Sequence, residues 1–493
     1  MRGRGQRLRF ARRTTSAAAS RVPPRTGFSQ IQASLRAAGL RARRLAMGAA
    51  GAGGDANRSQ RGRPKSPAGS NMKSLLLSHS DGGGGAGRAA YRLQQALVAS
   101  GVDSHMHVDF KDSEDPLVAR NQGPFADLAR RLRITIEEVP AVLAKHPQPQ
   151  LFAPGMMSAI SARRINASDA DIINAHWTNF GYLSIGQIAR ITKPFVWSLH
   201  DMWAFTGGLN YAPDDASARW RTGYRKDNRP PQEHGWDIER WVAGRKKRAW
   251  TRPRHAITSS TWMANLVAGS SLLAEWQTHV IPNAVDTNIY APQSRQSARS
   301  RFGIDPHVNV VVVVLPTHLD DPRKGFDLLR EALGHLGRDS RQGRTVELAV
   351  VGHGKAPADW PSGLPPAHWL GYLDDQGCID AYSSADLVVV PSRQDNSPQT
   401  ATEALACGSP VVAFRATGLP DYVAHQETGY LAQPGDPTDL AAGIEWVLHD
   451  AERRNALANR ARAQAVKLWS PEVVGQTHRQ LFESIIAEQR PAT

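Results

Sequence analysis

Two carboxylates, Asp395 and Glu403, stand eight residues apart around a strand-to-helix turn in the stretch ADLVVVPSRQDNSPQTATEALACGSPVVAF, from Ala385 to Phe414. Facing a diphosphate they would repel it, but they are good acceptors for the hydroxyls of a ribose or hexose. The turn between them suits an anion. Val388, Val389 and Val390 form a short β-branched run with the profile of a buried strand, and Pro391 stops it. Ser397 then fits an N-cap, Pro398 the first helical position and Gly408 the helix end. The backbone N–H groups near Gln399 and Thr400 therefore face a cleft at the positive end of the helix dipole. That alone is worth only about 0.3–2 kcal/mol. Read blandly, the stretch is an ordinary strand–helix unit with solvated acids.

A second group that could do chemistry is His200. It follows the apolar run Phe195–Leu199 and precedes Asp201 and the segment Met202–Tyr211, MWAFTGGLNY. Ligands bind at the carboxyl ends of strands in open parallel sheets, and an imidazole there can hold a hydroxyl or accept a proton. His176 ends the run from Asp171 in the same way. Lys324, next to Arg323 and just ahead of an amphipathic helix with Phe326, Leu328, Leu329 and Leu333, is placed to neutralise a departing diphosphate. A fourth feature is the glycine run Gly82–Gly85, between the strand that starts at Ser74 and a helix ending near Gly101. Such a loop lets backbone approach a phosphate or sugar, but it lacks the lysine of a P-loop and the full dinucleotide fingerprint. Asp169 and Asp171 have the spacing of a metal-binding pair. They precede their strand, at the end away from the expected cleft, and are rejected.

The central stretch resembles the E-x7-E region of the family 4 retaining glycosyltransferases, with Asp395 where the family usually has its first Glu and Glu403 as the second. Leu199–Gly208, LHDMWAFTGG, is similar to a polysaccharide-building branch of that family, in which this histidine lies at the donor sugar. Ile257–Trp262 and Val280–Asp286 resemble the closing signatures of the family's first domain. The resemblance covers roughly residues 72 to 486. It implies the GT-B architecture, a nucleotide-sugar donor, retention at the anomeric carbon, and neither a required metal nor a cofactor. Catalytic roles then fall to His200, Asp395 and Lys324. Donor-binding roles fall to Gly84, Gly85, His318, Arg323, Asn396, Ser397, Gln399, Thr400 and Glu403, with Glu403 on the ribose and Asp395 on the hexose. The family pairs its lysine with an arginine about six residues earlier. His318 holds that position here, and Arg323 is the candidate substitute. The branch often carries a cysteine-rich insertion after the glycines, but residues 212–250 contain no cysteine.

The elements that must position these groups alternate strand and helix in two halves, which argues an α/β protein of two doubly wound, Rossmann-like domains facing a cleft. The expected boundaries are a disordered basic extension over 1–71, an acceptor-side domain over 72–286, a linker over 287–307, a nucleotide-sugar domain over 308–470, and a C-terminal helix over 471–493 that crosses back to the first domain. The apolar run Val308–Leu315 suits a central parallel strand.

The formal charge of +15 is misleading. Of 60 basic and 45 acidic residues, 16 basic and one acidic lie in residues 1–71, so the remainder balances at 44 each. Nucleic acid is accordingly not an expected specific partner. The basic segment reads as an organellar transit peptide, a nucleic-acid arm or a mis-assigned start, the last favoured because Met72 opens the first credible strand. Cys378 and Cys407 alone build no disulfide framework, in keeping with a reducing compartment and a cytoplasmic protein. No apolar run reaches the roughly 20 residues of a spanning helix. Trp236, Trp241 and Trp250 around Arg245–Arg248 fit a peripheral contact with the inner membrane face, and a solvated helix face better.

The expected function is transfer of a hexose from a nucleotide-diphosphate sugar to a glycan or lipid-linked acceptor in polysaccharide biosynthesis. The alternatives are a non-catalytic nucleotide-sugar-binding protein, motivated by Asp395 and His318, and a GT-B nucleotide-sugar epimerase.

Overall fold

Strands whose two faces are both covered by helices read as unbroken apolar runs, and Val310–Val313 is the clearest: all four side chains are buried at the centre of a parallel sheet. The computed structural model describes residues 72–148, 151–231, 233–315, 321–336, 345–352, 356–357 and 360–489.

The first lobe is a seven-stranded sheet. Its elements are β1 (Lys73–Ser80), α1 (Gly85–Ala99), β2 (Asp103–Phe110), β3 (Val118–Arg120), α2 (Ala126–Leu143), β4 (Ile172–Ala175), β5 (Phe195–Leu199), α3 (Ile238–Ala249), β6 (His255–Thr258), α4 (Thr261–Ala268) and β7 (Gln277–Val280). The strand order is β3-β2-β1-β4-β5-β6-β7 and every pairing is parallel. One face carries an aromatic core built on Trp197, Trp203, Phe205 and Trp220, and the other packs Leu76, Met106 and Ile172 under α1.

The second lobe holds α5 (Arg295–Phe302), β8 (Asn309–Leu315), α6 (Phe326–Leu336), β9 (Val346–Gly352), β10 (Ala367–Gly371), α7 (Asp375–Ser384), β11 (Leu387–Val390), α8 (Gln399–Ala406), β12 (Val411–Phe414), β13 (Gly429–Ala432), α9 (Pro437–Leu448) and α10 (Ala451–Trp469). Its six strands run parallel in the order β10-β9-β8-β11-β12-β13. In both lobes the strand order reverses at the first strand, the switch point that opens a crevice at the carboxyl edge. The segment expected as a linker is not featureless. It contains α5, capped by Ser294 and anchored where Arg299 meets Asp386 at 2.7 Å.

The chain crosses between the lobes twice. After β7 it enters the second lobe, and after α10 it returns as α11 (Pro471–Gln489), whose Val474, Phe482 and Ile485 join the core under α1. Gly475 permits that docking, since a Cβ there would stand 2.4 Å from the carbonyl oxygen of Ala96. The two crossings touch: the N–H of Val285 donates to the carbonyl of Trp469 at 2.9 Å.

Candidate active site

The carboxyl edges of the two sheets face each other, and most of the residues singled out above lie along that line. On the second lobe, the short turn Pro322–Lys324 ends at Gly325, whose φ of 65° is left-handed. A Cβ on Gly325 would lie 2.0 Å from the carbonyl oxygen of Pro391. Glycine therefore lets the turn rest on the end of β11, and Lys324 Nζ donates to Asp395 Oδ2 at 2.6 Å. Both groups are largely buried, so this is a charge-assisted contact at the mouth of α8. The backbone of Asp395 is held by Thr417, whose Oγ1 accepts from its N–H and donates to its carbonyl.

The start of α8 differs from the expected one. Pro398 occupies the N-cap and no side chain caps the helix. Ser397 is not the cap because its Oγ accepts from Asn283 Nδ2 of the first lobe at 3.0 Å. Gln399 and Thr400 occupy the first turn, ahead of the first helical bonds, which Ala401 and Thr402 donate to Pro398. Their amides lie at the positive end of the helix, as an anion requires. The Gln399 side chain donates to the carbonyl of Gly85 at 2.5 Å, linking the helix start to the glycine loop.

Glu403 takes a role that its sequence position does not reveal. Its side chain is buried, with Oε1 accepting from Arg92 Nη2 at 2.8 Å and Oε2 from the Tyr382 hydroxyl at 3.1 Å. Arg92 comes from α1 of the opposite lobe and also stacks on Tyr290, 5.0 Å from its ring centre. The pairing keeps the guanidinium protonated against its burial. Arg88, one turn earlier, lies 3.8 Å from Asp375. Sequence reasoning missed both arginines. The available signal was their spacing of four on the helix that follows the glycine loop, which puts them on one face.

Arg323 is engaged locally. It grips Asp321 through Nε at 3.2 Å and Nη2 at 2.8 Å, and its guanidinium lies over Tyr211 of the first lobe, 4.6 Å from the ring centre. His318 lies outside the described residues.

On the first lobe, His200 closes β5 beside His176 at the end of β4, with His200 Nε2 and His176 Nδ1 3.0 Å apart. Burial pushes the His200 imidazole down to about 4 and that of His176 well below its usual value, so both are neutral near pH 7 and share a single N–H between them. A neutral imidazole can accept or donate at a hydroxyl without charge repulsion. Asn396 joins this group to the second lobe. Its Nδ2 donates to the carbonyls of Leu199 at 3.1 Å and His200 at 3.4 Å and to Ser259 Oγ, while its Oδ1 accepts from Ser260 Oγ. Beside His200, burial pushes the Asp201 carboxyl up to about 6, although Trp177 Nε1 donates to it at 2.8 Å.

The glycine loop is tied down by Asp81, whose carboxylate accepts from the N–H groups of Asp112 and Ser113 and from the Ser113 hydroxyl. Gly87 is required by packing, as a Cβ would meet the Gly82 carbonyl at 2.3 Å. A Cβ on Gly84 or Gly85 would meet nothing within 4 Å. Asp169 and Asp171 serve the opposite edge of the sheet: Asp169 pairs with Lys73 Nζ at 2.5 Å and Asp171 accepts from the Lys73 N–H at 2.8 Å.

Residues 83–289 match the family described as Glycosyltransferase Family 4, and residues 310–450 match Glycosyl transferases group 1. The chain belongs to these family 4, group 1 glycosyltransferases and has the GT-B fold. It is 25% identical over 432 residues to the MMP alpha-(1->4)-mannosyltransferase of Mycolicibacterium hassiacum, a match covering 82% of this chain and 95% of that one. It is 35% identical over 196 residues to the D-inositol 3-phosphate glycosyltransferase of Segniliparus rotundus. That match covers 38% of this chain and only 42% of the relative's length. Among solved structures, sucrose-phosphate synthase from Thermosynechococcus elongatus aligns with a TM-score of 0.58 at 19% identity, over 85% of this chain and 100% of that one. Anabaena HepE in complex with UDP-glucose aligns with a TM-score of 0.53 at 19% identity, over 84% and 100%. These two show the fold.

Proposed function

We propose that this chain is a retaining, metal-independent hexosyltransferase that moves a sugar from a nucleotide diphosphate to a glycan or lipid-linked acceptor in polysaccharide biosynthesis. The observation that carries the reading is the meeting of Lys324, Asp395 and the start of α8 with the His200 strand end of the other lobe, through Asn396. A cation, a helix start without a side-chain cap and a hydroxyl-binding imidazole are what a sugar diphosphate needs.

In this reading the bond between the anomeric carbon and the β-phosphate oxygen breaks with charge accumulating on the phosphate. Lys324 and the amides of Gln399 and Thr400 take up that charge as it develops. Arg323 contributes at longer range from its place over Tyr211. The acceptor hydroxyl attacks from the same face and passes its proton to the departing phosphate, so no covalent enzyme intermediate forms. Asp395 accepts from hexose hydroxyls and is held in place for that by Lys324. Glu403 serves the ribose from the opposite side of α8, its Arg92 partner exchanging with the nucleoside as donor enters. Gly84 and Gly85 leave room for donor and acceptor beside the cleft, and neutral His200 positions the sugar.

A panel of UDP- and GDP-sugars, followed by NMR for loss of donor and for the anomeric configuration of the product, tests this. Transfer or slow hydrolysis with retention supports it. Binding without turnover across many acceptors favours a non-catalytic binding protein, and interconversion of the sugar within the nucleotide favours an epimerase.

A further inference from the structure

Helix α2 is mounted inside out. Three of its polar residues face the protein: the Glu137 carboxylate accepts from the N–H groups of Met156 and Met157, Arg133 pairs with Asp109 at 2.6 Å, and Arg130 lies over the Phe110 ring at 4.3 Å. Most of its large apolar residues face solvent, while Pro140 and Ala141 are buried. Phe125 and Leu143 are each 73% exposed, Leu128 56% and Leu132 54%, with Ile136 and Val139 continuing the ridge. These positions recur at three- and four-residue steps, so they form one stripe along a helix about 27 Å long. Folding gains nothing from a ridge of this kind, and an ordinary monomer rarely shows an apolar patch beyond ~300–600 Å².

The surroundings of the ridge are basic. His146, just past α2, lies 3.2 Å from Glu239 of α3, and Arg245 of α3 donates to the carbonyls of Pro154 and Gly155, beside the segment that Glu137 holds. The two helices are therefore neighbours, and α3 exposes Arg240, Lys247 and Arg248, while Arg131 and Lys145 are exposed on and just beyond α2. Of the acids nearby, Asp127 is already paired with Arg130 at 2.8 Å, and Glu138 is exposed on α2 itself. An apolar stripe with a basic border is complementary to an anionic lipid surface. A second copy would instead bring the two basic borders together.

We propose that α2 and the exposed basic side of α3 form an interfacial docking face, on which α2 lies in the plane of an anionic bilayer with its Phe125–Leu143 stripe among the acyl chains. The face borders the first-lobe side of the cleft, since Asp109 and Phe110, which hold α2, end β2 next to the glycine loop and its anchor Asp81. An acceptor carried on a lipid would meet the cleft from there. Docking itself does not depend on the proposed transfer reaction.

The test is co-sedimentation of the full chain with phosphatidylglycerol-containing vesicles against pure phosphatidylcholine vesicles. Wild-type protein is expected to bind the anionic vesicles, less tightly as salt is raised. The double variant Leu132→Ser, Leu143→Ser is expected to lose at least tenfold in partitioning, with an unchanged melting temperature because both side chains are exposed. Lys247→Glu with Arg248→Glu is expected to weaken binding to anionic vesicles alone. Donor hydrolysis in the absence of lipid reads the transfer proposal separately and is expected to be the same in all of these proteins. Failure of wild type to bind, or equal binding by the serine variant, overturns the proposal. So does light scattering that shows a dimer converted to monomer by the serine pair.

Discussion

Arg92 Nη2 lies 2.8 Å from Glu403 Oε1, an ion pair between α1 of one lobe and α8 of the other. Because Glu403 is buried, removing only the arginine leaves a carboxylate without its counter-charge. A double-mutant cycle of Arg92→Ala and Glu403→Gln, read by urea unfolding, is expected to give a coupling of about 0.5–3 kcal/mol. Additive effects would show that the pair does not hold the lobes.

Lys324→Ala and Glu403→Ala are each expected to lower kcat/KM for donor turnover by more than tenfold, about 1.4 kcal/mol or more. If Lys324 acts mainly on the departing phosphate, its loss falls on kcat rather than KM. Wild-type rates in both variants would remove the proposed site.

Activity is expected to survive EDTA, since Lys324 and the start of α8 supply the charge that a divalent ion supplies elsewhere. Complete loss that Mg²⁺ restores would count against the metal-independent reading.

Stability is expected to fall between about pH 6.5 and 4. Burial pushes His79, His107, His200 and His478 down to about 4, and His176 lower still. The unfolded chain therefore binds more protons than the folded one in that window, so the stability present above the ordinary histidine range is lost as pH drops. Asp201, pushed up to about 6, works the other way between about 4 and 6 and offsets part of the loss. Melting temperature against pH checks this, and a flat profile from pH 7 to 5 would contradict it.

Asn396→Ala is expected to cost about 1–3 kcal/mol, because the carbonyl of Leu199 and the hydroxyls of Ser259 and Ser260 lose a buried partner together. Denaturant midpoints of the variant and of Asn396→Asp would measure it.

Much of this architecture was legible in the chain. Valine runs such as Val310–Val313 mark strands covered on both faces, and Lys324 and Asp395, 71 positions apart, were each flagged by their own turn chemistry. What escaped depended on partners brought from elsewhere. Ser397 has the composition of a cap, yet Asn283 from the other lobe claims its hydroxyl. Glu403 is legible as an acid close to the turn, but its ion pair with Arg92, 311 positions away, is not. The periodic apolar stripe of α2 is present in the sequence, but periodicity alone implies that such a stripe is buried, whereas here it faces outward.

The bond from Val285 to Trp469 fixes the two interlobe crossings side by side. Both covalent links between the lobes thus run side by side, and any opening of the crevice has to break the ties that Asn396, Arg92 and Gln399 make across it while leaving this seam intact.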